Sequence, residues 1–293
     1  MAFSKGQVST EGAAVKRYVG VGSMFVRGVN PSKAESDKFF GRDSDNEPVY
    51  VTEVENNGVK VPSVRISFLV EADPEKHEGI EFKSSVNIFL RREPRVSRDG
   101  KKQIIDKYGR TAWATPEEIA NHAIPVYSSG NKANIASDYR IAYNGEEDLI
   151  KFLIAYLNIP APANYVNGEW VNKPEAELAD CEAGLEHIED YFKGDFKELK
   201  EIISYQPLNK VKVCFGVRKA DDGKEYQNCF TRKFLRNSST NYSSLDADIK
   251  SAKNAGAYST TEFDTQDLHE YVVTPTNFNE MPFEAPVSNS PWG

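Results

Sequence analysis

The sequence predicts an α+β fold in which a strongly curled antiparallel sheet or small barrel carries added helices, and three observations point there. Segment 64–70 alternates, placing Val64, Ile66, Phe68 and Val70 on one face and Arg65, Ser67 and Leu69 on the other. Segment 82–91 repeats the pattern, with Phe82, Ser84, Val86, Ile88 and Leu90 against Lys83, Ser85, Asn87, Phe89 and Arg91. Upstream, residues 15–31 mix aliphatics with Gly20, Gly22 and Gly28, the kind of strand that bends or bulges at a barrel corner. Beyond Asn144 the period becomes helical: Leu149, Phe152, Leu153, Tyr156 and Leu157 form one apolar face, and Pro160 closes it.

Taken in order, residues 1–14 are small and polar and read as a mobile arm. After Asn30-Pro31, Ser32 caps a short helix that Gly41 ends. Segment 48–54 reads as a strand, and Asn57-Gly58 is a hairpin signal leading into 64–70. Segment 102–113 is a further strand, pairing with 82–91 across a turn rich in Arg, Lys and Gly. Thr115 then caps a helix with Pro116 in its first turn. With about five strands and glycine-marked bends, the first 160 residues read as an OB-like barrel. Asn144 with Glu147 reads as a capping box for the next helix. Residues 161–236 read as a helical insertion plus a second β-hairpin. One helix starts at Pro174 and presents Leu178, Cys181, Leu185 and Ile188; another, capped by Asp195, presents Phe196, Leu199, Ile202 and Ile203. In the hairpin, a tight turn at Asp222-Gly223 sets Phe215 opposite Phe230, Val213 opposite Arg232 and Val211 opposite Phe234. Residues 237–293 read as a flexible acidic tail with one helix near 245–255.

A chain of 293 residues with mean hydropathy −0.56 is polar yet long enough for a real core. No apolar run reaches the roughly 20 residues that span a bilayer, and the N-terminal stretch lacks a signal-peptide core, so the expected location is the cytoplasm. Cys181, Cys214 and Cys229 form no C-x-x-C pair, and His77, His122, His187 and His269 are far apart, so neither a metal site nor a cofactor is expected. The phosphate-binding, nucleophile-elbow and zinc-protease motifs are absent, so no enzyme is expected. Oligomeric state is not legible.

The net charge is −8, yet between Arg91 and Arg110 eight cations meet three acids, a local +5. The second hairpin repeats this balance, with Lys212, Arg218, Arg232 and Lys233 among eight cations against three acids. Basic hairpins carrying aromatics in an acidic protein suit a polyanion: cations track phosphates and rings stack on bases. The expected contact residues are Arg65, Lys83, Phe89, Arg91, Arg92, Arg95, Lys107, Tyr108, Arg110, Trp113, Lys212, Arg218, Arg232 and Lys233. If the two hairpins meet, they make one cationic groove. The competing reading is a pair of solvated hairpins whose aromatics fill the core.

Two stretches, Ile105-Asp106-Lys107-Tyr108-Gly109-Arg110-Thr111-Ala112-Trp113 and Arg140-Ile141-Ala142-Tyr143-Asn144-Gly145-Glu146-Glu147-Asp148-Leu149, followed by Phe152 and Tyr156-Leu157-Asn158, carry a resemblance. In them the first 160 residues or so resemble the single-stranded DNA-binding proteins encoded in replication modules of tailed bacteriophages, crAss-like phages in particular. The resemblance implies an OB-type barrel that coats single strands during replication or recombination in the host cytoplasm. It also implies a C-terminal arm that recruits replication or recombination proteins, here through Phe278, Met281, Phe283 and Trp292. Asn279-Glu280-Met281-Pro282-Phe283 is similar to the acidic Pro-Phe ending of such arms, but ten residues follow it. The early helix at 32–40 is a second departure. The alternative function is a phage structural or virion-associated interaction protein.

Overall fold

The computed structural model describes residues 16–56, 58–122, 138–219, 225–254, 261–263 and 267–271. Its main sheet is antiparallel and follows the spatial order β12 (Glu225–Arg236), β11 (Lys210–Lys219), β1 (Arg17–Val29), β3 (Val59–Ala72), β4 (Lys83–Pro94) and β8 (Tyr143–Asn144). Three shorter strands join it: β2 (Val51–Asn56) on β3, β13 (Thr261–Phe263) on β11 and β14 (His269–Tyr271) on β1. The alternation read from sequence sets the faces. Val64, Ile66, Phe68 and Val70 of β3 and Val86, Ile88 and Leu90 of β4 are all buried. Leu69, assigned to the outer face, is buried as well, beside Gly28.

The sheet curls into a half-barrel, because β1 changes register between Val26 and Gly28, and such a bulge bends a strand and strengthens its twist. The curl brings β12 into contact with β4, and burial pushes the thiol of Cys229 on β12 up to about 11. Helix α3 (Glu146–Tyr156) packs across the opening, against β4, β8, β11 and β12. Its Phe152 stacks on Phe68 at 4.1 Å between ring centroids and meets Phe234 of β12 edge-on at 5.0 Å. Each fully buried aromatic of this kind contributes roughly 1.5–3 kcal/mol.

Local signals worked where they were self-contained. Helix α1 (Lys33–Phe40) has the Ser32–Glu35 capping box and a left-handed Gly41. Helix α2 (Pro116–Ala120) has the Thr115–Glu118 box. Other expectations are corrected. Asn144 lies in β8, and Gly145, not Asn144, begins α3, with no side-chain cap. The helix expected from Pro174 breaks into α4 (Glu175–Leu178), a 3-10 turn (Ala179–Cys181) and α5 (Ile188–Tyr191); Cys181, Leu185 and Ile188 are buried, with Leu185 in the non-helical link before α5. Helix α6 (Lys197–Tyr205) starts after Phe196, with Asp195 accepting the Lys197 N–H at 2.9 Å.

The expected strand 102–113 is two strands, β5 (Lys102–Ile105) and β6 (Thr111–Ala114). With β7 (Arg140–Ile141) they leave the main sheet and form a separate three-stranded one. β9 (Ala163–Val166) and β10 (Glu169–Asn172) form an isolated ribbon. In the second hairpin, Cys214 faces Phe230 and Val211 faces Arg236, one residue off the expected register near the turn. Lys219 pairs with Glu225, so five residues connect the strands rather than two, and a bulge between Lys212 and Cys214 shifts the rest. Asp222 and Gly223 lie outside the described residues.

Part of the expected tail belongs to the fold. Helix α7 (Ser243–Asn254) buries Leu245 and Ile249 on Val21, Cys214 and Phe230, and Leu268, preceding β14, is buried in the main core. Phe278, Met281, Phe283 and Trp292 lie outside the described residues. β11 pairs directly with β1, so one core runs from Tyr18 to Leu268 across the expected boundary at 160.

One buried histidine is expected to make this core pH-sensitive. The Ser23 N–H of β1 donates to His77 Nε2 at 2.8 Å, which requires a neutral ring. Burial holds the His77 pKa below its usual 6.5, with Lys212 acting in the same direction and Asp267 and Asp73 against it. Between 6.5 and the lower folded value the unfolded chain binds more protons, so stability falls as pH drops through that window. Thermal melts between pH 7.5 and 5.5 are expected to show this loss, and His77→Gln, whose side-chain carbonyl still accepts the Ser23 N–H, is expected to flatten the profile.

Candidate nucleic-acid interface

On the outer face of β3 and β4, Ser63, Ser67 and Leu69 are buried, and the candidate contacts are Arg65 of β3 with Phe89 and Arg91 of β4. Register places Arg65 directly opposite Phe89, Ser63 opposite Arg91 and Ser67 opposite Asn87. Arg65 lies 5.3 Å from the centre of the Tyr50 ring and donates to the Val49 carbonyl at 3.2 Å. Tyr50 is fixed in turn by donating to the Pro31 carbonyl at 2.6 Å, and burial pushes its phenol up to about 12. Arg65 has no carboxylate partner among the described residues. Arg91 has only a loose one, Glu93 at 3.6 Å. Phe89, between these cations, is 61% exposed although it sits mid-strand.

Beside this row opens a pocket of about 250 Å³ lined by Asn87, Ile88, Phe89, Arg91, Asn144, Gly145 and Asp148. β8 pairs with the end of β4 through Arg91 and Asn144 and so brings the start of α3 against that strand. Gly145 makes the approach possible: its φ is 87°, and a Cβ there would stand 1.9 Å from the Phe89 carbonyl oxygen. The local charge is mixed, because α3 opens with Glu146, Glu147 and Asp148.

Like Arg65, most other expected contact residues are engaged within the fold. Lys83 lies on the same face but at its far end, over the Phe39 ring and bonded to the Phe39 carbonyl. Arg92 pairs with Glu189 at 3.0 Å. Arg95 pairs with Glu147 at 2.7 Å and lies over the Trp113 ring, which is half-buried. Burial opposes ionisation of Glu147, but Lys151, Gln103 and Arg95 outweigh it and hold the carboxyl below its usual range. Lys107 pairs with Glu182 at 2.6 Å. Tyr108 is a correction: it is 8% exposed, with Lys107 and Arg110 over its ring, so no base can stack there.

The two basic hairpins do not form the expected groove through Lys212 and Lys233, because α7 and the turn before it cover that side of β11 and β12. Lys212 donates to the Ser239 carbonyl and to Tyr242, and Lys233 meets Asp248 at 3.5 Å. Arg218 is exposed near the end of β11, and Arg232 lies on β12.

Arg110 separates a structural cation from a binding one. It meets Asp106 at 2.7 Å, and the Asp106 side chain is fully buried, also accepting the Tyr108 and Arg110 N–H groups. Arg110→Ala leaves a buried charge without its cation, so it is expected to cost about 3 kcal/mol in a denaturant melt while changing single-strand affinity less than twofold.

Asn87, Asn144 and Asp148 escaped the sequence reading, because their meeting depends on the β4–β8 pairing, which no local pattern encodes. In the β9–β10 ribbon, Asn167-Gly168, both at positive φ, form the turn. The ribbon presents Tyr165, Val166 and Val171 to solvent. Among the described residues no group of three or more metal-ligating side chains gathers, and no helix is long and apolar enough to cross a membrane. No protein-family model, curated protein or solved structure matches the chain.

Proposed function

We propose that this protein binds single-stranded DNA with little sequence preference, through the outer face of β3 and β4, in phage DNA replication or recombination in the host cytoplasm. The observation that supports this most is the exposed Phe89 ring set between Arg65 and Arg91. Arg65 and Arg91 take phosphates while Phe89 stacks on a base, and stacking tolerates any sequence because every base has a π face. The half-barrel with α3 across its opening is then an OB-like barrel. Segment 272–293, with Phe278, Met281, Phe283 and Trp292, serves as the arm that recruits replication or recombination proteins.

The test is fluorescence anisotropy of a labelled mixed-sequence single strand, titrated at low and moderate salt with the full chain and with a chain ending at Tyr271. That end point keeps α7 and β14, which a shorter truncation would remove. Saturable binding that prefers single strands over duplex is expected, with a log–log salt slope near −1.4, since two arginines release counterions at about 0.7 each. Absence of binding at low salt overturns the proposal. It would favour the second reading, a phage structural or interaction protein, which the exposed apolar side chains of the β9–β10 ribbon support.

A further inference from the structure

The pocket beside Phe89 has a chemistry that the outer sheet face lacks. At about 250 Å³ it falls below the roughly 300 Å³ at which pockets begin to hold drug-sized ligands, a size suited to one planar ring system. Phe89, which is 61% exposed, and Arg91 are among its lining residues. The Asn144 amide has no hydrogen-bond partner within the described residues, and it offers both a donor and an acceptor. Asp148 adds a carboxylate, next to Glu146 and Glu147 in the first turn of α3. An ionised carboxylate has about four acceptor positions, so Asp148 can take a further hydrogen while keeping its contacts within the fold.

We infer that this pocket holds a single unstacked nucleobase and favours bases with an exocyclic amino group over thymine. The inference rests on the single-strand reading above and adds a base preference to it. The base stacks on Phe89, its amino group donates to Asp148, the Asn144 amide bonds the remaining edge, and Arg91 holds the adjoining phosphate. Cytosine and thymine stack alike on a phenyl ring but differ at position 4, where cytosine carries an amino donor and thymine a carbonyl acceptor. A carbonyl facing Asp148 sets two acceptors against each other.

The experiment compares a short dT tract with the same tract carrying one central dC, at pH 7.5 and fixed salt. The wild-type chain is expected to bind the dC strand at least about tenfold more tightly, as one added hydrogen bond to a charged acceptor allows. Asp148→Ala is expected to erase that difference and to raise dT affinity slightly, because the carboxylate no longer faces the thymine carbonyl. Asn144→Ala, which alters the pocket without touching a helix, is expected to weaken both strands about threefold, since an amide bonds either base. Equal wild-type affinity for the two strands overturns the base preference while leaving single-strand binding in place. A preference that survives Asp148→Ala in a chain with an unchanged melting temperature overturns it too. Failure of the wild-type chain to bind either strand removes the single-strand reading itself.

Discussion

Replacing Gly145 with alanine is expected to lower stability by more than about 3 kcal/mol. Two costs add. A φ of 87° is a conformation that side-chain-bearing residues avoid, at roughly 1–3 kcal/mol. The new methyl also stands 1.9 Å from the Phe89 carbonyl oxygen, an atom of a mid-strand backbone that cannot rotate aside. Relief requires the start of α3 to lift away from β4. That motion loosens Leu149 and Phe152, both fully buried, and Phe152 ties β3 to β12. At roughly 2–4 °C per kcal/mol for a chain of this size, calorimetry should show a fall of at least about 6 °C. A loss below about 1 kcal/mol would mean that α3 and β4 do not meet as described. Because Gly145 also lines the pocket, a variant that does fold should bind single strands more weakly.

The difference between Gly145 and its neighbour Asn144 shows what sequence can and cannot carry. Asn144 followed by Glu147 satisfies the local rule for a capping box, yet the chain starts α3 one residue later, because tertiary approach to β4 admits only a residue without a side chain. The β3 and β4 faces were legible because a period of two leaves no freedom once one face is apolar. That same logic placed Arg65 and Phe89 together before any register was known. Charge was legible only as a sum. The partners that neutralise Arg95 and Lys107 lie 52 and 75 residues away, so a local +5 concealed cations already committed to the fold. Tyr108 and Phe89 looked equivalent as aromatics among cations, and burial alone separates them. Strands β13 and β14 are three residues each and take their order from β11 and β1, so an acidic, proline-bearing sequence gave no sign of them.

Removing the Phe89 ring is expected to weaken single-strand binding by about five- to 150-fold, the range given by 1–3 kcal/mol of stacking per base. Phe89→Ala should leave the melting temperature close to wild type, since a side chain 61% exposed withdraws little surface from water on folding. The pairing of those two results is what carries information. A ring that served only the core would lose stability, as Tyr108→Ala is expected to do. Salt dependence separates the ring from its flanking cations. Phe89→Ala should shift the binding curve without altering its salt slope, because no counterion is released by a phenyl group. Arg91→Ala should reduce the slope by about 0.7, the share of one phosphate contact on a single strand. Phe89→Trp, with a larger face at the same position, should hold or tighten binding. If Phe89→Ala binds like wild type while Arg91→Ala does not, DNA follows the cations without stacking, and the ring must be exposed for another partner. A change in salt slope from the ring substitution alone would instead mean that losing it moves Arg65, its cross-strand neighbour, out of reach of the phosphate.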